Sequence, residues 1–285
     1  MPTGAFQKET TMSKRTDALD LRGHFGLTAM PFTREIAVKD HWISPLYQES
    51  LNDLTHTVFQ RMSAAVLAPS GTGKTGLLRA LKEQLPAARY RCHYVNVTSL
   101  SKRDMCREIA TVTQIEPCGT FPALVRKLQT AFQGYGSQEG VQPVLLLDEA
   151  QDMRLEVLSV LRDLTNFNMD SSLVLSVVLA GDSRLERLLK HREVEPIRRR
   201  LAHVATLRLL SRDETRSYME HRIRIAGGKD LPFDPNAVDA VYEVSCGNLR
   251  AVDHVARKAM TYACEQNINT VDTNLVTKAR KSLLT

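Results

Sequence analysis

Short apolar runs alternate with amphipathic stretches over the first two thirds of the chain. Runs rich in Ala, Val, Leu and Tyr predict strands over 64–68, 94–97, 144–147 and 173–179, because each is too short for a helix and has polar or turn residues on its flanks. Between them, apolar residues recur every three or four positions and predict helices over 75–85, 102–113, 121–133 and 153–164, with a basic helix near 183–191. Strand and helix in repeated alternation imply an α/β fold with a mostly parallel sheet covered by helices. The stretch 134–140, Gly-Tyr-Gly-Ser-Gln-Glu-Gly, reads as a loop.

After Leu210 only the helical period remains. Ser211 and Glu214 have the spacing of a reciprocal cap, so a helix is expected from there to about Ile225, where Gly227-Gly228 ends it. Further helices are expected over 235–244, 249–266 and 272–284. The chain therefore divides into a flexible tail over 1–22, an α/β domain over 23–208 and a small all-helical lid domain over 209–285.

Two segments bring chemistry to this frame. Ala68-Pro69-Ser70-Gly71-Thr72-Gly73-Lys74-Thr75 fits the phosphate-binding P-loop pattern, with Ala for the first Gly, between an expected strand and an expected helix. Small residues let successive backbone N–H groups converge on phosphate oxygens, the helix N-terminus adds partial positive charge, and Lys74 supplies a point charge to the β and γ oxygens. Pro69, Ser70, Gly71, Thr72, Gly73 and Gly76 are expected to border the nucleotide with Lys74 and Thr75. The second segment, Val144-Leu145-Leu146-Leu147-Asp148-Glu149, looks like a buried strand that ends in two acids. Thr75 and Asp148 are expected to hold Mg²⁺, and Glu149 to orient and activate the water that attacks the γ-phosphate. Together the segments predict binding and hydrolysis of ATP.

Composition narrows the setting. The formal net charge is +6, from 38 Lys+Arg against 32 Asp+Glu, which suits a polyanionic partner without requiring one. The cations cluster: Arg184, Arg187, Lys190, Arg192, Arg198, Arg199 and Arg200 share one window, and Lys102-Arg103 with Arg107 form a smaller group. Runs of this kind are often solvated helix faces. The start of the chain is polar, and the longest apolar stretch, 173–180, is too short to span a bilayer, so membrane insertion is not expected. Five cysteines without a C-x-x-C pair fit reduced thiols in the cytoplasm. Neither histidine spacing nor a Ser/His/Asp pattern suggests a metal beyond Mg²⁺ or a competing chemistry. Trp42 is expected to pack near the nucleotide end of the sheet.

From about residue 22 to its end the chain resembles the AAA+ superfamily, and within it the ATPase module of the ExeA/GspA type and the related transposition helper ATPases of the TnsC, TniB, MuB and IstB kind. The resemblance rests on Phe25-Gly26-Leu27 with Pro31-Phe32, Gly71-Thr72-Gly73-Lys74-Thr75, Leu147-Asp148-Glu149-Ala150-Gln151, Leu179-Ala180-Gly181 and Gly247-Asn248-Leu249-Arg250. It implies that Arg250 is the lid arginine that reports the γ-phosphate, where the residues alone would also allow a surface arginine at a helix start. It places the first sensor at Asp182 or Ser183, a departure from the Gln usual in ExeA-like modules. It also implies an arginine finger for a neighbouring subunit within Arg198-Arg199-Arg200, with Arg200 the first choice and Arg199 the second, and hence an active homo-oligomer, ring or helical filament.

The expected role is that of an ATP-dependent regulator of DNA transposition, which assembles on duplex DNA and recruits a transposase or target-selection protein. Lys102 and Arg103 are the expected DNA contacts. Two alternatives remain: the cytoplasmic energy module of a secretion system, and an ATP-gated signalling or defence switch.

Overall fold

The apolar runs become the centre of one sheet. The structure, a computed structural model of the chain, describes residues 20–117, 119–167 and 172–281. Its strands are β1 (Ser63–Leu67), β2 (Tyr90–Asn96), β3 (Gln142–Asp148), β4 (Ser176–Gly181) and β5 (Leu201–Thr206). All pairings are parallel, in the order β2-β3-β4-β1-β5. β3 and β4 are buried at every position, because a central parallel strand has helices on both faces and gains from apolar side chains on both. The edge strand β5 mixes exposed and buried positions. That weak pattern, directly after three arginines, hides it from a periodicity search.

On one face of the sheet, α4 (Lys102–Val112), α5 (Phe121–Gly134) and α6 (Leu155–Thr165) bury Met105, Ile109, Leu128, Phe132 and Leu161 against Leu145, Leu147 and Leu179. On the other, α2 (Pro45–Phe59) and α3 (Lys74–Gln84) bury Leu54, Val58, Leu77 and Leu81 against Val66, Leu146 and Val178. Ser44 caps α2 by accepting from Tyr47 N at 3.1 Å, and Pro45 opens its first turn. α7 (Ser183–Leu189) and the single-turn α8 (Glu195–Arg198) lead into β5. The expected loop at 134–140 is instead a π-helical turn, Tyr135–Glu139, that continues α5 and stops at Gly140, whose φ is 66°. The helix expected from 153 starts at Leu155, since a 3-10 turn at Ala150–Asp152 and an extended Met153 come first.

The lid holds a third core, built from α9 (Arg212–Ile225), α10 (Pro235–Ser245), α11 (Leu249–Glu265) and α12 (Thr273–Lys281). The capping box of Ser211 and Glu214 is present at α9. Residues 282–285, the end of the expected last helix, lie outside the described residues. At the other terminus, α1 (Leu21–Phe25) begins inside the segment expected to be a tail, with Asp20 accepting from Gly23 N, while 1–19 lie outside the described residues. Leu21, Leu27 and Phe32 join the lid core, and Thr28 N and Ala29 N both donate to Ala226 O, at 2.8 and 3.2 Å. The beginning of the expected α/β domain thus packs with the lid. Among the described residues, no helix is long and apolar enough to cross a membrane.

Candidate nucleotide site

The loop between β1 and α3 has the backbone that a phosphate cradle needs. Gly71 and Gly73 have φ of 79° and 98°, left-handed values that favour glycine and let consecutive N–H groups turn inward. Lys74, only 5% exposed, donates from Nζ to Ala68 O at 3.1 Å and Pro69 O at 3.3 Å, so its ammonium is fixed within the loop. Thr75 Oγ1 donates to Asp148 Oδ2 at 2.5 Å, and Tyr94 OH donates to the same oxygen at 3.1 Å. Asp148 Oδ1 accepts from Glu149 N at 2.9 Å. A carboxylate 2% exposed needs such donors to offset the hydration it has lost. With the Thr75 hydroxyl beside it at the mouth of the loop, this donor set fits a hard divalent cation and a triphosphate. Thr75 and Asp148 would hold Mg²⁺, and Lys74 with the loop amides would hold the phosphates of ATP. Tyr94 is not among the residues that the motifs single out; burial, with Asp148 next in order, pushes its phenol up to about 12, which keeps it a donor.

Glu149 is placed at the cost of backbone strain, with φ of 53° in the left-handed region. Its Oε2 accepts from Gln151 Nε2 at 2.5 Å, and Gln151 Oε1 accepts from Asp182 N at 3.2 Å. Gln151 therefore ties the acid to the end of β4. Gly181 leaves the room for it, since a Cβ there would stand 2.8 Å from Gln151 Oε1. Asp182 does stand at the end of β4, yet its carboxylate caps α7 by accepting from Arg184 N at 2.8 Å and pairs with Arg184 Nε at 3.0 Å. It does not line the cavity. The polar side chain that reaches Glu149 from this corner is Gln151, and its sequence signal is its place two residues after the acid.

The lid rests on the loop. Cys246 and Gly247, with φ of 50° and 73°, turn the chain into α11. Asn248 Oδ1 caps that helix by accepting from Ala251 N at 3.2 Å, while its Nδ2 donates to Ser70 O at 2.6 Å. Arg250 N donates to Gly71 O at 3.3 Å, and the exposed Arg250 lines the cavity. A Cβ on Gly71 would collide with the Asn248 amide. Asn248→Asp keeps the cap but removes the donor to Ser70 O. We expect it to weaken nucleotide binding about fivefold, the equivalent of roughly 1 kcal/mol. Titration with a fluorescent ATP analogue checks this, and an unchanged Kd would remove the contact from nucleotide binding.

A cavity of about 1280 Å³ lies between the P-loop, the strap of residues 32–47 and the lid. Trp42 lines it and packs edge-on against Tyr218, with ring centroids 5.9 Å apart. Behind them lies a buried cluster that no motif announces. Arg222, 4% exposed, donates to Thr33 O at 2.5 Å, Tyr218 OH at 3.0 Å and Asp253 Oδ2 at 3.3 Å, and Tyr218 OH donates to Asp253 Oδ1 at 2.8 Å. Burial pushes the Asp253 carboxyl up to about 6, against the pull of the Arg222 guanidinium. The cluster joins two lid helices to the strap that walls the cavity.

The remaining expected residues lie apart. Lys102 opens α4, and Arg103 Nη2 donates to Gly119 O at 3.2 Å, at the same sheet edge as the P-loop because β2 ends beside Asp148. Arg198, Arg199 and Arg200 precede Leu201, which pairs with Ser63 at the start of β1, whereas the P-loop leaves the other end of that strand. About 13 Å of strand lies between them and the P-loop. Arg199 Nη2 donates to Glu195 Oε1 at 2.7 Å, and the half-buried Arg200 donates to Thr165 O at 3.2 Å. Much of the basic window is paired: Arg184 with Asp152 and Asp182, Lys190 with Glu186 and Arg199 with Glu195.

Residues 56–189 match the family described as an AAA domain. General secretion pathway protein A of Aeromonas hydrophila is 30% identical over 247 residues, which cover 84% of this chain and 44% of that protein. The chain thus spans less than half the length of that relative. Among solved structures, Cdc6p from Pyrobaculum aerophilum is similar with a TM-score of 0.70 and 16% identity, over 88% of this chain and 70% of that one. The Aeropyrum pernix ORC1 protein, solved in complex with DNA, is similar with a TM-score of 0.67 and 18% identity, over 86% of this chain and 67% of that one. At these identities the two structures speak to fold alone.

Proposed function

We propose that this chain, an AAA+ ATPase by its matched domain and its fold, is the nucleotide-driven energy module of a larger machine, of the kind that General secretion pathway protein A represents. The observation that carries this is the direct seat of the lid on the phosphate loop, Asn248 Nδ2 to Ser70 O at 2.6 Å, beside an assembled Thr75–Asp148 pair. Loss of the γ-phosphate would alter the loop, and the loop holds the lid. ATP and Mg²⁺ are the ligands this reading requires. The similarity over 247 residues supports the secretion class in preference to the others. An oligomer is part of the proposal, since the finger candidates Arg199 and Arg200 precede β5 at the end of the sheet opposite the chain's own P-loop.

A second reading, the DNA transposition regulator with a transposase or target-selection partner, has support in the fold shared with a protein solved on DNA and in the net charge of +6. In this reading Lys102 and Arg103 contact duplex DNA. One assay separates the two. Hydrolysis of ATP measured with and without duplex DNA is expected to be indifferent to DNA for a secretion module, whereas strong stimulation and ATP-dependent assembly on the duplex support the second reading. Absence of Mg²⁺-dependent hydrolysis under all conditions would overturn both.

A further inference from the structure

We infer that Tyr94, on the edge strand β2, is a positioning residue for the divalent cation of the nucleotide site: its hydroxyl fixes the Asp148 carboxylate in the orientation that suits Mg²⁺. This deepens the ATPase reading above and rests on it. β2 runs parallel to β3, with Tyr94 paired to Leu146 and Asn96 to Asp148. Side chains two residues apart share a face of the sheet, so Tyr94, Leu146 and Asp148 all point to the side on which Leu146 packs with Leu77 and Leu81 of α3. The tyrosine stands one such step short of Asp148 in register, and its ring carries the hydroxyl across that step to Asp148 Oδ2 at 3.1 Å. A serine, threonine or asparagine at this position would be too short for the reach, and a phenylalanine brings no donor.

The acceptor positions of the carboxylate are nearly filled. An ionised carboxylate offers about four. Oδ2 accepts from Thr75 Oγ1 at 2.5 Å and from Tyr94 OH, and Oδ1 accepts from Glu149 N at 2.9 Å. Among the described residues that leaves one position, on Oδ1, for the cation or for water bound to it. The three donors do not constrain the group equally. Glu149 N belongs to the next residue of the chain and moves with Asp148. The Thr75 hydroxyl is itself an expected ligand of the cation and has to turn its oxygen towards it. Tyr94 comes from a separate strand and does not line the cavity, so it holds the plane of the carboxylate from outside the nucleotide's reach.

Two effects of this bond oppose one another. A donor on a ligating carboxylate draws charge from it and so weakens its hold on a cation, but the same donor fixes its direction. Mg²⁺ demands near-ideal octahedral geometry at short distances, so a misdirected oxygen costs more than a slightly less basic one. Partners behind metal ligands are worth about 10–100-fold in metal affinity, and one neutral hydroxyl belongs at the lower end of that range.

The test uses the full chain and Tyr94→Phe. The residue is 40% exposed, so removal of one hydroxyl opens no void in the core. Binding of a fluorescent ATP analogue is titrated twice, once in EDTA and once in saturating Mg²⁺. The variant is expected to bind in EDTA as the parent does and to bind about tenfold more weakly with Mg²⁺. A role confined to packing would not separate the two titrations: equal weakening in both, together with a lower unfolding temperature, would overturn the assignment. Parent-like or tighter binding of the variant with Mg²⁺ would overturn it too, and would leave the ATPase reading standing. A parent whose binding of the analogue is indifferent to Mg²⁺ would overturn that reading and this inference together.

Discussion

Glu149→Gln is expected to bind ATP with Mg²⁺ about as well as the parent and to lose roughly 10²–10⁴-fold in turnover, the range that a general base contributes. The substitution preserves shape and leaves a side-chain oxygen to accept from Gln151 Nε2, the bond that holds Glu149 at 2.5 Å. What disappears is a group that can take a proton from the attacking water. Lys74→Ala acts on the other side of the reaction, through the phosphates, and should weaken binding itself. Steady-state hydrolysis beside a nucleotide-binding titration separates the two effects. Turnover at the parent rate in Glu149→Gln would show that this carboxylate is not the base.

The parts of this site that could be read from sequence are those built from contiguous residues. The P-loop needs glycines at Gly71 and Gly73 because both have left-handed φ, and a lysine and threonine directly after, so the motif is a local record of a local geometry. The same holds for Asp148 and Glu149 at the end of β3. The lid helices were legible because the cap at Ser211 and the turns at 227–228 and 246–247 punctuate them. What remained hidden depends on contacts over long separations. Tyr94 meets Asp148 only because β2 pairs with β3, and Arg222 meets Thr33 only because the N-terminal strap folds back onto the lid. A lone tyrosine or arginine carries no periodic signal for such a meeting. Charge misled in the same way: the window 184–200 stands out in sequence, yet Asp152, Asp182, Glu186 and Glu195 pair with Arg184, Lys190 and Arg199 within it.

The composite nature of the site is open to a complementation experiment, and its expected result is activity from two inactive proteins. Lys74→Ala should be nearly inactive for want of a phosphate ligand. Arg200→Ala should be nearly inactive because a guanidinium that neutralises charge in the transition state contributes roughly 10³–10⁵-fold in related NTPases. Arg200 cannot supply that charge to its own nucleotide, since it precedes β5 at the end of the sheet opposite the P-loop. In a mixed assembly some interfaces would pair the intact P-loop of the Arg200 variant with the intact arginine of the Lys74 variant, and those sites should hydrolyse ATP. The hydrogen bond from Arg200 to Thr165 O would have to break or share for the finger to extend, so recovery is expected only under conditions in which sedimentation shows co-assembly. Co-assembly without recovery would remove Arg200 from the role. The same mixture with Arg199→Ala then decides whether Arg199, exposed and paired with Glu195, is the residue that crosses the interface.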